Sequence, residues 1–141
     1  MPHVEIDEEI AAPPGRVWAA LTDAPRLVAG GLGVTRLDGV IAPGARLKLW
    51  SQAAPGRAFA LRVGVFHPPA EMTWEGGMPF GLFRGVRRFT IEPTQRGSRF
   101  RMSETFSGPL AGLILRATPD LTPSFRTFAR GLKALAEGDA A

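Results

Sequence analysis

The sequence predicts an α+β fold: a curved antiparallel sheet of about seven strands, two short helices, and a long C-terminal helix packed over a cavity. Three observations carry this. Six stretches with period-two apolar alternation follow one another between residues 34 and 108, separated by regular turn signals. A seventh such stretch opens the chain and is followed by two short helical patterns. The chain closes on a long amphipathic stripe that one face of a curved sheet can accept.

The elements follow in order. "HVEIDEEI" (3–10) alternates Val4, Ile6 and Ile10 with acidic neighbours, the pattern of a strand. Pro13 and Pro14 suit a helix start, and Val17, Trp18 and Leu21 then fall at helical spacing. "APRLVAGGLG" predicts a second short helix stopped by Gly30 and Gly31. Strands are predicted at Val34–Val40 (weak), 45–50, 57–67, 71–76, 82–92 and 98–108. Phe59, Leu61, Val63 and Val65 share one face, and Met72 and Trp74 share another. From Pro109 onward "LAGLILRA" starts a helix that Pro119 and Pro123 interrupt or kink. Phe125, Phe128, Ala129, Leu132, Leu135 and Ala136 form the stripe beyond, with Arg126, Arg130, Lys133 and Glu137 away from it. "GDAA" is expected to fray.

Composition narrows the function. The chain has 141 residues, enough for a single domain with one core. It has no apolar run long enough to span a membrane, and its opening "MPHVEIDEEI" lacks the basic start and apolar block of a secretory signal. A cytoplasmic location is the expectation. With no cysteine, thiol nucleophiles, disulfides and iron–sulfur clusters are excluded. Only His3 and His67 carry imidazoles, so neither a histidine metal site nor a Ser–His–Asp triad is supported, and no cofactor is expected. His67 ends a strand beside Pro68 and Pro69, a structural place. The net charge of +4 comes from arginines spread along the chain, not massed as nucleic-acid binders mass them. Nothing in the sequence indicates an oligomeric state.

Four stretches, in this order and spacing, resemble the SRPBCC superfamily, the helix-grip fold of START-related lipid-transfer proteins, polyketide cyclases and birch-pollen-type allergens. They are "IAAPPGRVWAALTDAPRL" (10–27), "HPPAEMTWEGG" (67–77), "FRGVRRFTIEPTQRGSRFRMSETFSGPL" (83–110) and "FRTFARGLKALAE" (125–137). The order of elements matches over essentially the whole chain, nearest to the small polyketide cyclase-like domains. The resemblance implies a hydrophobic cavity between sheet and C-terminal helix, and a small hydrophobic partner more than any one reaction. A cyclase or aromatase activity, or a regulatory or co-chaperone-like module with a vestigial cavity, are the alternatives.

One residue stands out. In "RFRMSETFSG" the inward parity carries Phe100, Met102 and Phe106, and also Glu104. A carboxylate on a core face needs a partner. Pairing Glu92 with Arg99, with "PTQRGS" as the connection, puts Ile91 opposite Phe100, Phe89 opposite Met102, Arg87 opposite Glu104 and Gly85 opposite Phe106. A two-residue slip would set Arg88 against Arg101, a like-charge clash. The Arg87–Glu104 pair either fixes strand register or anchors a ligand's carboxylate, hydroxyl or carbonyl. General acid–base catalysis by Glu104 is disfavoured, because a neighbouring guanidinium favours the ionised carboxylate. Arg87 could still hold a substrate enolate. Phe59, Leu61, Val63, Trp74, Phe83, Phe89, Phe100, Met102, Phe106, Phe125 and Phe128 are candidate pocket walls, with ordinary core packing as the alternative. Met78 and Phe80, in "GGMPFGLF", sit on a loop that either folds its apolar tip onto the protein, serves as a lid or entrance, or meets a partner.

Overall fold

The protein is described from a computed structural model covering residues 3–52, 54–117 and 120–138. Seven strands form one antiparallel sheet: β1 (His3–Ile10), β2 (Val34–Asp38), β3 (Arg46–Ser51), β4 (Ala54–His67), β5 (Glu71–Gly77), β6 (Arg84–Thr94) and β7 (Gly97–Ser107). Their order is β1-β7-β6-β5-β4-β3-β2, curled into a half-barrel. Helices α1 (Pro14–Leu21) and α2 (Ala24–Ala29) carry the chain from the β1 edge to the β2 edge. The strand between Val34 and Val40 is shorter than predicted and ends at Asp38, where Gly39 takes a positive φ of 110°.

The expected interruption is present: two helices, α3 (Ala111–Arg116) and α4 (Thr122–Gly138), follow β7. Pro119, the predicted breaker, and the tail 139–141 lie outside the described residues. The side chain of Asp120 accepts from the Thr122 N–H at 3.0 Å, and Pro123 follows in the first turn, where a missing N–H costs nothing. The predicted stripe of α4 is buried at Phe125, Phe128, Ala129, Leu132 and Ala136. Gly131 lets α4 approach the Leu32 segment: a Cβ there would lie 2.6 Å from Leu32 side-chain carbons.

The polar side of α4 also has structural work. Lys133 Nζ donates to the Glu9 carbonyl at 3.0 Å and pairs with Glu137. Glu137 Oε2 accepts the Ala11 N–H at 2.8 Å. These contacts tie the last turns of the helix to the end of β1.

The concave face is closed in its middle by interlocked rings. Trp74 meets Phe89 edge-on at 4.8 Å, Phe89 stacks on Phe100 at 6.1 Å and on Phe128 at 5.7 Å. The convex face carries ion pairs instead, Arg84–Glu75 at 2.6 Å, Arg101–Asp7 at 2.8 Å and Arg88–Glu71.

Candidate functional site

The β6–β7 register is the one the charge argument selects. Arg87 faces Glu104, Phe89 faces Met102, Ile91 faces Phe100 and Gly85 faces Phe106. The connection is tighter than expected, because Thr94 still pairs with Gly97 and only Gln95 and Arg96 form the turn. Continuing across the sheet, Val63, Trp74, Arg87, Glu104 and Val4 form one row on the concave face.

Arg87 Nε donates to Glu104 Oε1 at 2.8 Å, and Arg87 Nη2 lies 2.8 Å from the same oxygen. The guanidinium carbon sits 4.8 Å from the centre of the Phe125 ring, so α4 covers the pair with an aromatic face. The side chains of Arg87 and Glu104 nevertheless stay 24% and 15% exposed. This inward charge pair therefore keeps some access to solvent. Gly85 sits beside it, and Glu104 Oε2 lies 2.8 Å from where a Gly85 Cβ would stand. A side chain at that position would displace the carboxylate.

The predicted walls divide between core and rim. Val63, Trp74, Phe89, Phe100, Met102, Phe106, Phe125 and Phe128 are buried. Phe59, Leu61 and Phe83 are half-buried, and Phe83 stacks on Phe106 at 5.9 Å. Met72 and Trp74, expected on another face, lie on the same concave face as these residues, because Trp74 pairs with Val63 and Arg87.

One member of the β4 parity set is displaced. The β4–β5 register shifts between Val63 and Phe66, so Phe66 pairs with Met72 and Val65 leaves the inward row. Phe66 packs on the core and meets Trp18 edge-on at 5.2 Å. The bulge is held on the other side by Thr73, whose Oγ1 accepts the Val65 N–H at 2.8 Å and donates to Glu75 Oε2 at 3.1 Å. Gly64 was the available signal, since an interior strand glycine often marks a bulge.

The loop after β5 does not fold its tip inward. It makes a single 3₁₀ turn at Pro79–Gly81, with Phe80 at a φ of 62° and 99% exposed, and Met78 also exposed. The loop is joined to the segment before α3, where the Leu110 N–H donates to the Leu82 carbonyl at 2.9 Å.

Two recesses lie elsewhere. One of about 260 Å³ is lined by Glu5 to Glu8, Arg126 and Arg130. The other, about 630 Å³ and open, runs along α1 and α2 past Leu37 to Ile41. Neither takes in Arg87 or Glu104. The first is walled mainly by charge, which suits neither an oily ligand nor the apolar end of the concave face. Among the described residues, no three His, Asp or Glu side chains come together to hold a metal ion.

A curled antiparallel sheet gripping a long C-terminal helix, with polar groups set among apolar walls, defines a helix-grip protein of the SRPBCC type. The chain belongs to the family of polyketide cyclases, dehydrases and lipid-transport proteins, whose model matches residues 1–137. Solved structures share the fold. Protein MLL2253 from Mesorhizobium loti is 20% identical with a TM-score of 0.72, over 97% of this chain and 98% of its own. TTHA0849 from Thermus thermophilus is 19% identical with a TM-score of 0.74, over 99% of this chain and 100% of its own. No curated protein matches the sequence. Among the described residues, no helix is long and apolar enough to cross a membrane.

Proposed function

We propose that this protein binds a small hydrophobic molecule, a lipid, polyketide or aromatic metabolite, against the concave face at the end marked by Arg87 and Glu104. The carrying observation is that pair: two charges turned inward among apolar walls, yet not sealed from solvent. Ligand sites of this kind combine oily walls with a few converging polar groups. Phe83, Phe106 and Phe125 supply the walls near the pair, and Leu61 and Phe59 continue the wall further along on β4. The deeper residues, Val63, Phe89, Phe100, Met102 and Phe128, support it from the core. Met78 and Phe80 stand at the entrance.

The test is native mass spectrometry of gently purified protein from its own host, with identification of released small molecules. A reproducible bound mass that is lost in Arg87→Met supports the reading. Empty spectra, with no thermal shift across fatty acids, sterols and aromatic polyketides, overturn it.

Two observations favour second readings. The exposed Phe80 and Met78 suit an interaction module. In that case Phe80→Ser abolishes partner capture and leaves any ligand in place. The family's description names cyclases and dehydrases, which suits an enzyme in which Arg87 holds a substrate enolate. That role is abandoned if Arg87→Met and Glu104→Gln both leave turnover of a genuine substrate intact.

A further inference from the structure

The outer edge of the sheet at β1 offers a second surface, separate from the concave face. β1 pairs with β7 and ends the sheet. In a strand the N–H and C=O of one residue point to the same edge, and successive residues alternate. Even-numbered residues of β1 turn toward β7: a Cβ on Gly97 would lie 2.4 Å from the Ile10 carbonyl oxygen. Odd-numbered residues turn away from β7. The Glu9 carbonyl accepts from Lys133 Nζ at 3.0 Å, and the Ala11 N–H donates to Glu137 Oε2 at 2.8 Å, so α4 closes this part of the edge. The N–H and C=O groups of Glu5 and Asp7 point the same way and have no partner among the described residues.

The same helix supplies a wall for the open part. α4 runs beside β1 in the same direction, with Lys133 at Glu9 and Glu137 at Ala11, and with Arg130 and Arg126 one and two turns earlier. Both arginines are exposed and make no hydrogen bond or ion pair among the described residues. With Glu5, Ile6, Asp7 and Glu8 they line the recess of about 260 Å³. Two unfilled rungs of a β-ladder thus lie beside two cations. On the side facing the helix the arginines outnumber Glu8, which pairs with neither. On the convex side Glu5 and Asp7 share Arg101, at 4.0 and 2.8 Å, and leave an excess of negative charge.

Spacing and charge choose the partner. Residues four apart on a helix are separated by about 6 Å along its axis. Residues i and i+2 of an extended chain share one face about 6.6 Å apart. Acidic side chains at i and i+2 therefore meet Arg126 and Arg130 together. The residue between them turns to the acidic convex side, where a basic side chain fits. A second copy of β1 does not fit, because its Glu5, Asp7 and Glu9 would stand against the same carboxylates.

We propose that the β1 edge and α4 bind an extended acidic–basic–acidic peptide segment by strand addition, antiparallel like the rest of the sheet. The backbone of the segment pairs with Glu5 and Asp7, its acidic side chains meet Arg126 and Arg130, and its basic side chain lies by Glu5 and Asp7.

Three capped peptides, titrated into the ¹⁵N-labelled protein, test this. One is valine–glutamate–lysine–glutamate–valine. The second is its isomer valine–lysine–glutamate–glutamate–valine, which puts the two acids on opposite faces. The third is the first peptide N-methylated at lysine, the residue whose N–H must point at β1. The first peptide is expected to move the amide signals of Glu5 and Asp7 downfield and to slow their hydrogen exchange. The isomer and the N-methylated peptide each bind about tenfold more weakly. Arg126→Gln and Arg130→Gln, both at exposed positions, each weaken the first peptide by a factor of about three to ten. Equal affinity for the isomer, or no loss on N-methylation, overturns the proposal. So does a first peptide that leaves the Glu5 and Asp7 signals unmoved at about 10 mM. The hydrophobic-ligand reading is tested separately, since it uses none of these residues.

Discussion

Arg87 and Glu104 hold each other, and each is more costly alone than together. Removing one partner of a fully buried pair costs about 3–5 kcal/mol, because the other charge is left without compensation. Here both side chains keep some exposure, so roughly 2–3 kcal/mol is expected for Arg87→Met. The double variant Arg87→Met, Glu104→Leu should recover most of that loss, which urea denaturation measures directly. Failure to recover would mean that the pair does more for the fold than satisfy itself. The pairing was legible in the sequence for a local reason. Strand alternation set Glu104 inward, and the like charges of Arg88 and Arg101 excluded the slipped register. Trp74 was legible as a wall. Its unpaired indole N–H was not, because only the packed neighbours decide whether a donor finds an acceptor.

Among the elements, the loop after β5 carries the clearest internal conflict. Phe80 holds a left-handed backbone conformation, costly for a residue with a side chain, and its ring touches water. Phe80→Gly should therefore stabilise the fold by about 0.5–1 kcal/mol, read as a higher melting temperature. A loss of stability would show that the ring makes contacts of its own. If the same variant slows ligand uptake, the strain belongs to the entrance. Helix α4 offers a pH-dependent test. The Ala11 N–H, and then Lys133, hold the Glu137 carboxyl below its usual value of 4.5. A carboxyl lowered on folding stabilises the protein above its ordinary value, and that contribution fades as the pH falls through the folded value. Glu137→Gln should cost roughly 0.5–1 kcal/mol at pH 7. In melts run toward pH 3 the variant and the parent should converge. The β4 bulge belongs to this scale too: parity carried through Val63 and failed at Val65, since one extra residue reverses every side chain beyond it.

For the whole molecule, the curled sheet and α4 share one ring cluster around Phe89. Phe89 is fully buried and touches rings from β5, β7 and α4. Phe89→Ala should cost about 3–5 kcal/mol and unfold the protein as one unit. A ligand at the Arg87 end should act in the opposite sense, raising stability by about 2.7 kcal/mol at a hundredfold excess over its Kd. A thermal shift that persists in Arg87→Met and Glu104→Gln would move the site elsewhere, with the open groove along α1 and α2 as the next place to look.

The sequence by itself determined the order of elements, the inward and outward faces of the strands as far as Val63, the β6–β7 register and the apolar stripe of α4. All of these follow from periodicity and from neighbours close along the chain or across one hairpin. Only the tertiary structure decided which inward residues became sealed core and which stayed at the rim. It alone set Phe125 over Arg87, turned Phe80 outward and left Trp74 Nε1 unpaired. The physical reason is that burial and hydrogen-bond satisfaction depend on what the curled sheet and α4 bring together from distant parts of the chain, and no local pattern records that.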